Sequence, residues 1–199
     1  MKNIFYCILV LIFTGCNSES SWDCIQNAGT IVQNEVTVPP FTKILVWERT
    51  KVFIQQGEEQ KVVIETGESL MNDVEVTVTD GRLEIHNNNS CNLVRDYEIT
   101  KIYITSPNIT EIRSSTGYLI ESIGVLRYPS LTLLSEDQQN EDQYHIDGDF
   151  KLNLDVQSLS VVANGLSKFY LKGSATNTNF GLYAGDCRIF AENLTVQNL

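Results

Sequence analysis

The 199 residues contain only two histidines, His86 and His145, and five cysteines. No two cysteines lie at metal-ligand spacing, so a zinc centre has almost nothing to be built from. A glycine-rich phosphate loop is also missing, because Gly165 and Gly185 stand as isolated turn residues. Prolines number four, yet no stretch of helical length carries an apolar stripe at helical period. Positive charge is scarce too. Fourteen Lys/Arg face 25 Asp/Glu, a formal charge of −11, which repels phosphate polyanions and argues against nucleic acid as a partner. Beyond the first residues, no run is apolar enough to span a bilayer.

What is present begins at the amino terminus. Met1-Lys2-Asn3 precedes ten uncharged residues, Ile4 to Phe13. This is a short positive region followed by an apolar core of signal-peptide length. Thr14-Gly15 then supplies the small residues that a peptidase slot needs ahead of Cys16. The stretch Ile12-Phe13-Thr14-Gly15-Cys16 resembles the lipobox of bacterial lipoproteins, departing from it at Phe13. The expectation is a signal peptide over 1–15 and a lipid on Cys16, with a polar tether over 16–36 that begins Asn17-Ser18-Glu19-Ser20-Ser21. Cleavage removes Lys2, leaving 13 Lys/Arg against 25 Asp/Glu, or −12. Cys7 leaves with the signal, so Cys24, Cys91 and Cys187 remain, an odd number.

Strand signals dominate the rest. Lys43–Trp47, Val52–Ile54, Val62–Ile64, Val74–Val78, Leu83–Ile85 and Ile102–Ile104 alternate β-branched and polar residues, as strands with one buried face do. Asp80-Gly81 marks a hairpin whose turn needs positive φ at both centres. Residues 37–105 are therefore expected to hold antiparallel pairs. From about 106 a spacing near 20 recurs: Ile112 to Leu133, Leu131 to Leu152, Leu159 to Phe180, and Phe169 to Ile189. Repetition at that period predicts an all-β chain whose antiparallel part runs into a right-handed parallel β-solenoid (β-helix) over 106–199. A polar insertion at Ser135–Gln143 would interrupt it, and a β-sandwich is the alternative. Leu194-Thr195-Val196 would open a further coil, so C-terminal coils and a partner for Cys187 are expected to be lacking.

Several constellations invite chemistry. Glu136, Asp137, Glu141, Asp142, Asp147 and Asp149 form an acidic stretch whose spacing matches no calcium loop, so it reads as solvated. Asp147 with Asp149, or Asp155 with Asp186, are the pairs a polysaccharide-acting enzyme would use. His86 and His145 read as edge or surface residues rather than bases. Tyr118, Tyr170 and Tyr183 are the candidate ligand stripe, one tyrosine per coil. No catalytic, cofactor or metal residue is assigned.

Asp23-Cys24, Phe41-x-x-Ile44, Val52-x-Ile54-x-Gln56-Gly57, Ile64-x-x-Gly67-x-x-Leu70, Val76-x-Val78-x-Asp80-Gly81-x-Leu83-x-Ile85 and Asn89-x-Cys91-Asn92-x-x-Arg95 follow one another in order. Together they resemble the putative auto-transporter adhesin, head GIN domain family of Gram-negative lipoproteins, from about Asp23 to the end of the chain. The resemblance implies a β-helical fold, an extracytoplasmic place and no catalytic residues. It also implies a Cys24–Cys91 disulfide, with two buried thiols as the alternative. The expected protein is a lipid-anchored adhesin or surface-binding module at the outer membrane or cell surface, not an enzyme. Its partners would be the membrane, through the lipid, and a neutral polysaccharide or protein surface met by tyrosines and by amides such as Asn177 and Asn179. An envelope accessory protein is the alternative, and a polysaccharide-acting enzyme a more distant one.

Replacing Cys16 with Ala is expected to move the protein from the membrane fraction to a soluble or unprocessed form. Acyl chains absent from the wild-type amino terminus by mass spectrometry would contradict this.

Overall fold

The computed structural model describes residues 26–89, 96–141 and 143–199. The signal peptide, Cys16, Cys24, Cys91 and Asp142 lie outside them. Among the described residues, thirteen strands follow in chain order: β1 Ile31–Val36, β2 Lys43–Val46, β3 Lys51–Gln56, β4 Lys61–Gly67, β5 Val74–Thr79, β6 Arg82–Asn87 and β7 Lys101–Ser106. Then come β8 Glu111–Ser114, β9 Ile120–Ile123, β10 Ser130–Ser135, β11 Phe150–Gly165, β12 Lys168–Gly185 and β13 Arg188–Asn198. A 3-10 turn, Glu68–Asp73, joins β4 to β5. The first strand falls inside the segment expected as tether.

These residues make strands because apolar and polar side chains alternate through them. In β3, for example, Val52 and Ile54 are fully buried while Lys51 and Phe53 are not. Each expected strand from Lys43 to Ile104 forms. The Asp80-Gly81 hairpin forms as well, with φ of 51° and 73° at its two centres and β5 antiparallel to β6.

The larger arrangement differs from the expectation. There is no antiparallel part running into a right-handed parallel solenoid. All thirteen strands belong to one mixed sheet, ordered β1-β4-β7-β3-β9-β11-β10-β8-β2-β6-β5, with β12 and β13 added beside β11. The path runs along one face, turns at the long β11 and returns along the other, so the sheet closes around one core as a nearly complete barrel. Parallel pairs β2·β8 and β3·β9 cross the expected boundary near 105, and β3·β7 is parallel inside the supposedly antiparallel part. The order is not that of the chain, because β2 and β3 lie between the later β6–β7 and β8–β9. The reason is that β2 and β3 each have two usable edges, and local hairpin signals do not say which distant strand fills the second. Some spacings nevertheless are register partners: Ile112 faces Leu133 and Phe169 faces Ile189. Leu131 instead faces Leu159, and Leu159 faces Thr178.

Inward side chains stack across strands in two rows. Ile64, Ile102, Val52, Ile120, Phe150, Phe169 and Ile189 form one. The other holds Val78, Leu83, Ile44, Ile112, Leu133, Val161 and Phe180. The Phe150 and Phe169 rings lie 4.9 Å apart and nearly parallel. Where the chain turns between faces, buried hydroxyls meet the backbone. Thr116 Oγ1 accepts from the Thr50 N–H and donates to the Thr50 carbonyl, and the Ser135 and Ser167 hydroxyls bond each other at 2.6 Å.

Gly173 shows how tightly β11 and β12 approach. Its φ is +106°, and an added Cβ would collide with the Leu154 carbonyl. Gly81 has a φ of +73° with open space around it. Gly173→Ala is therefore expected to cost about 2–3 kcal/mol, from strain plus collision, and Gly81→Ala about 1 kcal/mol from strain alone. Denaturant midpoints of the two variants test this, and equal losses would contradict it.

Candidate functional site

The alternation that sends Val52, Ile102, Ile120 and Phe169 inward sends their neighbours outward, and register then lines those neighbours up. Val63, Tyr103, Phe53, Glu121, Lys151, Tyr170 and Phe190 occupy consecutive register positions on β4, β7, β3, β9, β11, β12 and β13. Six inter-strand steps give the row a length of roughly 29 Å. It is built of pairs. Phe53 and Tyr103 stack at 5.0 Å, Lys151 Nζ meets Glu121 Oε1 at 2.9 Å, and Tyr170 and Phe190 stack at 4.8 Å within 7° of parallel. Lys51 Nζ adds a cation 5.7 Å from the Phe53 ring centre.

Polar neighbours fix the first aromatic pair. The Tyr103 hydroxyl donates to Glu65 at 3.5 Å, and Glu65 also receives Lys101 at 2.9 Å and Gln33 at 2.7 Å. The hydrogen bonds from Lys101 and Gln33 hold the Glu65 carboxyl below its usual value. That same bond to Glu65 raises Lys101, and burial pushes the Tyr103 phenol up. Tyr103 thus stays a neutral, oriented ring.

Of the three tyrosines singled out from the sequence, only Tyr170 is on this row. Tyr118 precedes β9 and is half-buried, and Tyr183 is the unpaired residue at the register shift near the end of β12, 63% exposed. They do not line up with Tyr170, whose strand partners are Lys151 and Phe190. The sequence reading missed Phe53, Tyr103 and Phe190. A signal existed: Phe53 and Tyr103 each stand between two β-branched residues, and period-2 alternation sends such a middle residue outward.

The other face carries a second aromatic group. Trp47 lies between His86 at 5.2 Å and Tyr144 at 5.3 Å, and the Arg113 guanidinium sits 4.6 Å from the Tyr144 ring centre. Arg113 also bonds the Glu136 carboxylate at 2.7 Å, and Asp137 accepts from Asn164 at 2.8 Å. The acidic stretch is thus partly engaged in pinning its own loop against β8 and β11. Its described members do not converge as a group that could hold a metal ion. The carboxylates considered for catalysis go separate ways. Asp147 lies beside Gly117, Asp149 accepts the Lys168 N–H, Asp155 pairs with Arg127, and Asp186 pairs with Arg188.

A family model described as "Putative auto-transporter adhesin, head GIN domain" matches residues 40–199. The chain belongs to this family. Every strand of the outward row lies within the match. Membership implies a cell-surface or extracellular protein. Among solved structures, a putative adhesin from Bacteroides fragilis is similar over 85% of this chain and 97% of its own, at 15% identity and a TM-score of 0.60. A putative lipid binding protein from Parabacteroides distasonis is similar over 84% of this chain and 76% of its own, at 15% identity and a TM-score of 0.55. At such identity they share the fold alone. No curated protein matches the sequence. Among the described residues, no helix is long and apolar enough to cross a membrane.

The Glu65–Lys101 pair beside the row should carry a pH signature. A lowered Glu65 stabilises the fold above its ordinary range and loses that contribution as pH falls through its lower folded value. A raised Lys101 stabilises below its ordinary range and loses it as pH rises through its higher folded value. The pair therefore contributes across the neutral window. With Lys101 about a third exposed, Glu65→Gln is expected to cost only about 0.5–1 kcal/mol at neutral pH. The cost should shrink in acid. Urea midpoints at neutral and acid pH check this, and a cost independent of pH would contradict it.

Proposed function

We propose that this protein is a binding module of the cell surface, held by a lipid on Cys16, which uses the outward aromatic row to lie against an extended ligand. The observation that carries the reading is the continuity of that row. Two ring pairs stand at its two ends with an ion pair between them, all on one sheet face. Half-exposed rings held parallel to one another offer flat apolar area without needing to be ordered on binding. A sugar polymer has the matching shape, since its C–H faces cover rings while its hydroxyls reach the polar side chains alongside.

Binding rather than catalysis fits the remaining polar groups. The carboxylates of interest are separately engaged, whereas paired catalytic carboxylates must face one reacting atom. Anchoring through the amino terminus would leave the barrel free to present this face outward from the membrane.

The test is a polysaccharide-binding screen with the purified full chain in mild detergent, followed by substitution. Joint Tyr170→Ala and Phe190→Ala is expected to weaken binding about tenfold or more, roughly 1.4 kcal/mol or above. Because both rings sit on the outer face, the thermal midpoint should change little. Tyr183→Ala, off the row, should leave affinity unchanged. A double variant that binds as well as wild type would overturn the assignment.

A further inference from the structure

The β11–β12–β13 end of the row has a composition at odds with the acidic chain around it. Tyr170 and Phe190 form the stacked pair, and the cations stand about it. Lys168 and Lys172 lie two residues before and after Tyr170 on the same strand and face, each roughly 7 Å away along β12. Lys151 is the register partner of Tyr170 on β11, and Arg188 is the partner of Lys168 on β13. All four cations are exposed. Four of the chain's 14 Lys/Arg therefore gather around one aromatic pair, in a protein of net charge −11.

The acidic neighbours are accounted for individually. Glu121 pairs with Lys151, Asp155 pairs with Arg127, and Asp186 pairs with Arg188 while also lying within the field of Lys168. Asp149 accepts the Lys168 backbone N–H. Glu192 lies in the register shift of β13, exposed. Lys168 and Lys172 have no ion-pair partner among the described residues.

We infer that this end of the row binds the acid-bearing sugars of a polysaccharide, a ring stacking on Tyr170–Phe190 while its carboxylate meets Lys168 or Lys172. This rests on the surface-binding reading above and narrows its ligand class. It departs from the neutral ligand that the net charge suggests. Net charge governs the field at distances beyond the Debye length, about 8–10 Å at ordinary salt, whereas contact with a bound sugar is decided inside that distance. A neutral polymer would cover two unpaired ammonium groups without offering them a countercharge. The two rings of the patch do not stand proud of the sheet, as insertion into a lipid layer would need. Phe190 is half-buried and Tyr170 only 39% exposed.

The experiment uses the full chain in mild detergent with polygalacturonate, its neutral methyl ester, and polyglutamate, an acidic polymer without sugar rings. Polygalacturonate should bind most tightly and lose affinity with added salt. Lys168→Gln with Lys172→Gln should weaken it about tenfold while leaving the weaker binding of the methyl ester unchanged. Tyr170→Ala should weaken both polysaccharides. Equal binding of the ester and the acid, or indifference to the lysine substitutions, overturns the acidic ligand but leaves the surface-binding reading standing. Polyglutamate binding as tightly as polygalacturonate overturns the sugar and favours a peptide partner. If neither polysaccharide binds and the tyrosine variant changes nothing, both readings fall.

Discussion

Register is the constraint on which this molecule depends. Phe150 sits over Phe169 because β11 and β12 pair in parallel with a fixed offset of 19 residues, and Ile120 and Ile189 extend the same row on either side. A shift of one residue in any of these pairings would turn a whole strand over. Leu152 and Leu154 would then face water and Lys151 and Asn153 the core. The buried rows leave no freedom for that exchange, so packing specifies the pairing far more strongly than the backbone hydrogen bonds do, which are alike in any register. The outer row is a by-product of the same offset. Nothing in the local sequence of β3 or β12 draws Phe53 toward Tyr103 or Tyr170 toward Phe190. Those stacks exist because the residues on either side of each ring are fixed in the core.

A sheet that turns back around its own core must pass its backbone through corners where neither face supplies ladder partners. Thr50, Ser115 and Thr116 are all buried at such positions. Ser115 Oγ takes the His145 N–H, tying the pinned loop to the same corner. Apolar residues there would have left amides unpaired in the interior, at a cost of about 1–3 kcal/mol each. Small hydroxyl residues fit because one side chain can both donate and accept in little space, as Thr116 does toward Thr50. The corners therefore look polar and loop-like in sequence while being among the most enclosed parts of the fold.

That mismatch explains much of what could and could not be read beforehand. Alternation announced the strands from Lys43 to Ile104, and Asp80-Gly81 announced its turn, since both are local rules that tertiary context did not override. Pairing across the chain was another matter. A period near 20 points to real partners at Ile112–Leu133 and Phe169–Ile189, but it cannot report that β2 and β3 intrude between strands that follow them. The lengthened offset of 28 residues, from Leu131 to Leu159, is legible, because the polar insertion at Ser135–Gln143 falls in the loop after β10. The site was legible to a similar degree. The reading of one tyrosine per coil groups Tyr118, Tyr170 and Tyr183 together, yet only Tyr170 falls on the row, because spacing fails wherever a turn or register shift intervenes. The acidic stretch reads as solvated, and Glu141 and Asp147 are exposed; what spacing does not show is that Glu136 and Asp137 are held by Arg113 and Asn164, 23 and 27 positions away in sequence.

Charge shows the same separation between what a chain is on average and what a face presents. The molecule is strongly acidic, yet much of that acidity is placed where it does structural work. Glu65 orients Tyr103, Glu111 pairs with Arg82, and Glu136 holds Arg113 in a bond whose two side chains are each only 13% exposed. Such half-buried pairs neutralise one another at contact distance and add little to the field seen by a ligand. What remains outward depends on which cations were left unmatched, and beside the row, among the described residues, those are Lys168 and Lys172. Because both flank the same ring on the same strand, their positions follow from alternation alone once Phe169 and Leu171 are buried. The packing that fixes the core thus also fixes where positive charge can meet a ligand, and the average charge of the sequence carries no information about that placement.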